Sequence, residues 1–172
     1  MNLSIDLNNY SLLNICFLDT KENIIMDGNF TKIIYSNQWF TINGIYINLH
    51  FDSITIDKLM NKQYLRFNPY SFNNRKIIKE LTTIENKILE YYKEYYCNNS
   101  KITNVLEKQL SSGNIKIFKE YVDNRNFNNK NNFFLENNGD KRYILKISGV
   151  WENYNEIGIT YKLLEQHQWI QS

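Results

Sequence analysis

Aromatic and basic side chains alternate between Asp123 and Arg142, and this segment has the composition that points most directly to a binding chemistry. Single-stranded nucleic acid is held by such mixtures, because cations neutralise phosphates while ring faces stack on exposed bases. We therefore predict a nucleic-acid-binding loop whose residues are Arg125, Phe127, Lys130, Phe133, Phe134, Lys141 and Arg142. The alternative is that Phe133, Phe134 and Leu135 form a short buried strand whose ends are solvated by the basic residues.

Residues suited to catalysis or metal binding are few. The sequence contains no glycine-rich phosphate loop, no Gly-x-Ser-x-Gly and no His-Glu-x-x-His. His50 and His167 each lack an identifiable partner nucleophile, so we predict that the protein is not an enzyme and uses no cofactor. Two histidines and two cysteines fall short of the four ligands of a structural zinc site, so no metal is expected either.

The two cysteines also bear on the compartment. Cys16 and Cys97 cannot form a disulfide framework, which predicts a reducing environment. Cys16 lies in an apolar run, and we expect it to be a small buried side chain. No apolar run approaches the ~18 residues of a membrane span, so no membrane association is predicted.

Charge is unevenly distributed along the 172 residues, although the net charge is only +2. Residues 58–119 carry 12 basic and 5 acidic side chains, whereas residues 1–57 carry 2 and 6, and residues 120–172 carry 6 and 7. The basic central segment indicates either a patch for an anionic partner or the solvated face of a helix.

Hydrophobic periodicity predicts the elements that must position these residues. Alternation predicts strands in the first ~65 residues, at 12–18, 30–36, 45–51 and 64–67. A four-three spacing of apolar residues predicts a long helix over about 74–97, and a second short helix follows at 102–110. A strand at 115–121 and a hairpin of 143–149 with 157–164 complete the pattern. The stripe of the long helix consists of Ile77, Leu81, Ile84, Ile88, Tyr91 and Tyr95.

This order of elements predicts an α+β fold in a single domain of residues 1–172. The long helix lies between the N-terminal strands and the C-terminal hairpin. Small five-stranded barrels of the oligonucleotide-binding (OB) type also place their helix between the third and fourth strands. An open antiparallel sheet with one packed helix fits the pattern as well, and both alternatives stay open at this level.

Composition indicates the kind of genome that encodes the chain. There are 28 Asn and 23 Ile, a single Pro and no Ala. Asn and Ile have AT-rich codons whereas Ala and Pro have GC-rich ones. The simplest source is a very AT-rich genome, such as that of a virus, a phage or a parasite.

Two stretches carry a resemblance to a known group of proteins. They are the hairpin segments 146–152 (KISGVWE) and 156–162 (EIGITYK), and the strand pair 30–36 (FTKIIYS) with 43–46 (NGIY). In these the chain resembles small proteins of large nucleocytoplasmic DNA viruses of eukaryotes. The resemblance implies a protein of the host cytoplasm or nucleus, or of the virion. Such viruses encode OB-fold proteins similar to phage-type single-stranded-DNA-binding proteins, and they also use small β-rich proteins as minor capsid components.

Two functions follow as hypotheses. The first is a virus-encoded protein that binds single-stranded nucleic acid through a basic central segment and aromatic stacking. The alternative is a minor capsid or virion assembly protein without catalytic activity, whose partners are other viral structural proteins. The helical stripe could also join two copies into a homo-oligomer. Trp151, beside Gly149, is interpreted as an apolar plug or as an exposed stacking ring, and the plug is favoured.

Overall fold

The computed structural model describes residues 3–23, 27–118 and 142–166. Two short 3-10 turns, Leu7–Asn9 and Leu12–Asn14, precede the first strand. The N-terminal strands are β1 (Ile15–Phe17), β2 (Lys21–Glu22), β3 (Asn29–Ser36), β4 (Thr41–Asn43), β5 (Ile45–Leu49), β6 (Thr55–Leu59) and β7 (Lys62–Arg66). They are followed by α1 (Phe72–Tyr96), β8 (Lys101–Ile102), α2 (Val105–Ser111), β9 (Asn114–Phe118), β10 (Arg142–Glu152) and β11 (Glu156–Gln166).

These strands form one mixed, mostly antiparallel open sheet of 11 strands, which confirms the α+β class. The main path runs β1-β3-β10-β11-β9-β7-β6, and no pairing within the described residues joins β1 to β6. The prediction of a small OB-like barrel is therefore wrong. The physical reason is the length of β10 and β11, which are 11 residues each. Each pairs with several short strands in succession, so the sheet widens instead of closing.

A β-bulge lets β10 serve two neighbours on one edge. Its first half pairs with β5 from Tyr143 to Ile147, and its second half pairs with β3 from Gly149 to Glu152. The register against β11 shifts between Ile147 and Gly149. One extra residue in a strand reverses the phase of the side chains that follow. As a result Ile147 and Val150, three positions apart, both point into the core, where each is fully buried.

On its other edge, the hairpin of β10 and β11 pairs with parallel strands. β8 and β9 both run parallel to β11, and α2 connects them. β9 then pairs antiparallel with β7, which forms a hairpin with β6. Both helices are amphipathic, and no helix among the described residues combines the length and apolarity needed to cross a bilayer.

The long helix α1 covers one face of this sheet, close to its predicted bounds. Ile77, Leu81, Ile84 and Ile88 are buried as predicted, but Tyr95 is 60% exposed, and Leu89 and Tyr92 are buried further along the helix. A strict four-three spacing drifts from a straight helix by about 20° per heptad, so a stripe that follows the sheet must change position. Because this stripe packs in the chain's own core, it is not a free seam for a second copy.

Two buried polar side chains of α1 bind neighbouring segments to the helix. Glu85, which is fully buried, accepts hydrogen bonds from the backbone N–H groups of Leu106 and Glu107, both at 2.9 Å, and so caps the start of α2. Asn74 accepts from the N–H of Asp52 at 2.7 Å and donates to the carbonyl of Asn68 at 2.9 Å. It therefore ties two loops to the first turn of α1.

The first strand differs from its prediction. Only Ile15–Phe17 is a strand, because residues 12–14 form a 3-10 turn. Ile15 is buried and Phe17 packs on the tyrosines of α1, so the alternation turns Cys16 outward. The expectation of a buried Cys16 is wrong, and Cys97 is exposed as well.

Candidate nucleic-acid interface

Strand register separates the side chains of the sheet into two faces. Residues directly opposite one another on paired strands point to the same side. Leu145 pairs with Leu163 and with Ile47, and all three belong to the core beneath α1. The neighbouring residue Lys146 must therefore point away from α1. We call the side of Leu145 the inner face and the side of Lys146 the outer face.

A row of aromatic and lysine side chains crosses the outer face. Lys146 lies between Tyr46 of β5 and Lys162 of β11. Since Leu163 pairs in parallel with Ile117, Lys162 lies beside Lys116 of β9, and Lys116 in turn pairs with Tyr64 of β7. The lysine row is thus Tyr46, Lys146, Lys162, Lys116 and Tyr64. It spans four inter-strand spacings, or about 19 Å.

The lysines of this row lie over aromatic rings. The Lys146 Nζ is 4.9 Å from the centroid of the Tyr46 ring. The ring of Phe118 has two ammonium groups above it, that of Lys116 at 4.5 Å and that of Lys162 at 5.4 Å. Cation–π attraction at these distances holds the ammonium groups close to ring faces. The rings and the charges therefore form one surface.

The charge of this row is not neutralised within the described part of the chain. The ion pairs found there are Arg66 with Asp57 at 2.7 Å and Lys76 with Glu80 at 4.0 Å, and neither includes a lysine of the row. Lys146 and Lys162 are directly opposite each other, an arrangement of like charges that destabilises a sheet. An anion bound between them would relieve this repulsion.

An apolar pair lies beside the row on the outer face. Ile144 and Leu164 pair across β10 and β11 on the outer face, next to Phe118. They are 4% and 7% exposed, yet they are not part of the core cluster beneath α1. The outer face is therefore not a uniformly solvated polar surface.

Further basic side chains extend the positive surface. Strand pairing and alternation place six more of them on the outer face: Lys21, Lys32, Lys62, Arg66, Lys101 and Arg142. The carboxylates of Asp57 and Glu156 point to the same side, and Asp57 is bound by Arg66. Among the described strands the centre of the outer face is thus strongly cationic.

One residue of the predicted binding loop falls within the described part of the chain. Arg142 is exposed, begins β10 and points to the outer face, two positions before Ile144. The other six predicted site residues, Arg125, Phe127, Lys130, Phe133, Phe134 and Lys141, lie outside the described residues. That prediction therefore rests on the sequence for these six.

The structure divides the basic central segment. Lys62, Arg66 and Lys116 are on the outer face, whereas Lys76, Lys87 and their basic neighbours lie on α1, on the other side of the sheet. The charge excess is thus divided between the outer face of the sheet and the helix α1. Sequence reasoning missed Tyr46, Phe118, Lys146 and Lys162. Each of them alternates with buried residues along its strand, so the sequence pattern indicated that they lie on the face away from the core. That they lie close to one another follows only from the order of the strands in the sheet.

Other polar groups in the described residues serve the packing. The Tyr92 hydroxyl donates to Glu152 Oε2 at 3.2 Å and lies 3.1 Å from Thr31 Oγ1, and burial raises the pKa of Tyr92. A groove of about 420 Å³ between the first 3-10 turn and α1 is lined by the ion pair of Lys76 with Glu80 and by Lys79. His50 is exposed, and no cluster of three or more metal-ligating side chains occurs within the described residues.

Comparison with known proteins identifies no relative. No protein-family model, no curated protein and no solved structure matches the chain.

Proposed function

We propose that the chain binds single-stranded nucleic acid on the outer face of its sheet. The observation that carries the proposal is the lysine row, in which three neighbouring ammonium groups lie over aromatic rings without a carboxylate partner among the described residues. The proposal assigns no catalytic step and no cofactor to the protein.

Electrostatics supports an anionic polymer as the partner. Phosphates placed between Lys146, Lys162 and Lys116 would neutralise charges that otherwise repel one another across neighbouring strands. Because the three lysines follow one line across the sheet, they suit a chain of regularly spaced phosphates better than a single small anion.

The aromatic rings support unpaired bases over a duplex. Base stacking on side chains requires bases that are free on one face, which single strands offer. The lysine row is also about 19 Å wide, whereas the major groove of a duplex is about 12 Å wide. A sheet face of this width cannot enter that groove, but a single strand can lie across it.

A virus-encoded protein of the host cytoplasm, the nucleus or the virion is the biological setting we infer. The AT-rich composition supports it, as does the resemblance of segments 30–36, 43–46, 146–152 and 156–162 to proteins of large nucleocytoplasmic DNA viruses. Binding of exposed viral single strands is the role that agrees with both the source and the cationic face.

Salt dependence of oligonucleotide binding tests the proposal. With three phosphates neutralised by the lysine row, log affinity should fall with log salt at a slope of about −2 for a single strand. The double variant Lys146→Gln with Lys162→Gln should make that slope shallower by about 1.4 units. The measurement is the fluorescence anisotropy of a labelled oligothymidylate at several salt concentrations.

The matched control removes two lysines from the opposite side of the sheet. Lys87→Gln with Lys93→Gln changes the net charge equally but on α1, so its salt slope should equal that of the unmodified protein. If the native protein fails to bind at low salt, or if both double variants change the slope equally, the outer face is not the binding site.

Virion assembly is a second candidate, favoured by a different observation. Tyr70 and Phe72 are 85% and 91% exposed on either side of Ser71, where α1 begins. Exposed apolar rings of this kind are common at protein–protein contacts. An assembly protein would associate with itself or with another structural protein and would show no salt-dependent binding of oligonucleotides in the titration above.

A further inference from the structure

Resting on the proposed function, we propose that Phe30 and Trp151 form a second base-stacking platform, separate from the lysine row. The two rings are directly opposite each other on β3 and β10. Trp151 also pairs with Gly158 of β11, which lies on the same side of the sheet as Lys162. Both rings are therefore on the outer face, and neither belongs to the core cluster.

The two rings lie over glycines. A Cβ atom at Gly158 would be 2.5 Å from Cζ2 of Trp151, and one at Gly149 would be 2.3 Å from the backbone O of Thr31 and 2.6 Å from Cζ of Phe30. The space that a side chain would occupy is thus filled by the Trp151 ring at Gly158, and by the Phe30 ring together with the Thr31 carbonyl at Gly149. Both rings are half-buried.

This arrangement revises the interpretation of Trp151 as a core plug. Trp151 does cover a glycine, but the glycine is Gly158 on the neighbouring strand, while Gly149 is covered by Phe30. Trp151 does so from the outer face and remains half-buried. A half-buried aromatic ring on the face of a sheet is a surface on which an unpaired base stacks.

Two lysine side chains lie next to this platform on neighbouring strand positions. Lys21 pairs with Phe30, and Lys32 pairs with Gly149, and both lysines are exposed. Charge complementarity therefore favours the same partner, a phosphate-linked chain of bases. The platform, defined by Phe30, Trp151, Lys21 and Lys32, would extend the bound strand along β10.

Its distance from the lysine row sets the length of nucleic acid that can reach both. The partners of Lys146 and Trp151 on β11, which has no bulge, are Lys162 and Gly158, and these are four positions apart. Four positions are about 13 Å at the rise of a strand. At the 3.4 Å spacing of stacked nucleotides this corresponds to about four nucleotides. An oligonucleotide of about four nucleotides can occupy the lysine row alone, whereas one of about twelve can occupy both.

A length comparison tests the platform. Trp151→Leu keeps an apolar side chain over Gly158 but removes the ring, as Phe30→Leu does over Gly149. Each substitution should weaken binding of the longer oligothymidylate by about 5- to 150-fold and leave the affinity for the shorter one unchanged. The matched control is Trp39→Leu, at a tryptophan that is 81% exposed outside the outer face, which should change neither affinity.

Each result decides between the hypotheses. If the native protein binds both lengths and neither Trp151→Leu nor Phe30→Leu weakens the longer one, the platform is refuted while the proposed function stands. An equal loss at both lengths also refutes a separate platform. If the native protein binds neither the shorter nor the longer oligonucleotide, the proposed function is refuted. Thermal melting of each variant establishes folding, and Phe30→Leu provides the test if Trp151→Leu does not fold.

Discussion

Phe118 shows how single side chains define the outer face. It is partly buried at the end of β9, and the ammonium groups of Lys116 and Lys162 lie 4.5 and 5.4 Å from its ring centroid. The ring face attracts both cations, and in the proposed interface the same ring would stack on a base. Its sequence context, Lys-Ile-Phe, is an ordinary alternating strand. The environment of the ring thus comes from the neighbouring strand, which places Lys162 beside it.

Replacement of this ring separates stacking from charge. Phe118→Leu removes the π-face and keeps an apolar side chain beside Leu164, so we expect oligonucleotide binding to weaken by about 1–3 kcal/mol. The salt slope should stay unchanged, because no phosphate contact is lost. Anisotropy titrations at several salt concentrations measure both quantities. Tyr70→Leu, at a tyrosine that is 85% exposed on the loop before α1, is the control. A changed slope with unchanged affinity at low salt would contradict a stacking role.

At the scale of elements, Glu85 connects the two helices. Both of its carboxylate oxygens accept backbone N–H groups at the start of α2, from Leu106 and Glu107. Burial raises the pKa of Glu85 above its ordinary value of 4.5, although these two hydrogen bonds act in the opposite direction. The short helix α2 carries no side-chain cap of its own at Asn104, so its first turn depends on α1.

Loss of this cap should destabilise the fold. Glu85→Ala leaves two N–H groups without their acceptor, and we expect the free energy of unfolding to fall by about 2–4 kcal/mol. Urea denaturation measures the change, and Glu90→Ala, at an exposed position of the same helix, is the control. Equal stability of the two variants would show that solvent replaces the cap.

The same carboxyl has a defined effect on the pH dependence of stability. Because its pKa is raised in the folded protein, the folded state holds the proton more tightly than the unfolded state. Its contribution to stability is fully present below about pH 4.5 and is lost as pH rises through the raised pKa. The stability advantage of the native protein over Glu85→Gln should therefore shrink as pH rises above about 4.5. A constant difference between the two proteins across this range would contradict the raised pKa.

At the scale of the whole molecule, the sheet has an apolar face and a cationic, aromatic face. The inner face and α1 form the core, and the outer face carries the lysines and the rings. Side chains alternate along β10, so the same strand supplies Leu145 to one side and Lys146 to the other. The fold and the proposed binding therefore depend on different residues of the same strands.

This separation predicts independent responses to mutation. Leu81→Ala removes a fully buried side chain of α1, and the resulting cavity should lower the free energy of unfolding by about 2–5 kcal/mol. Oligonucleotide affinity of the folded variant should be unchanged, since the outer face is on the far side of the sheet. Urea denaturation and anisotropy below the melting temperature measure the two effects, with Thr83→Ala, at an exposed position of the same helix, as the control. A comparable loss of affinity would indicate that the two faces are coupled.

Much of the secondary structure can be predicted from the local spacing of apolar residues in the sequence. The spacing of Ile77, Leu81, Ile84 and Ile88 predicts α1, and the alternation around Ile45 and Ile47 predicts β5, because periodicity depends only on which neighbours share a face. The end of the helix is where the local pattern fails. Tyr95 continues the four-three spacing but is exposed, since the sheet beneath the helix and not the spacing determines which side chains are covered.

The sequence by itself determined the α+β class, the long helix, the C-terminal hairpin and the basic character of the central segment. These follow from interactions between residues close in the chain. Only the tertiary structure decided that the sheet stays open, and that Tyr46, Phe118, Lys146 and Lys162 meet on one face. Strand order and register are set by contacts between residues distant in sequence, and a shift of one residue would exchange the two faces. The lysine row is a property of that register, which no single strand contains.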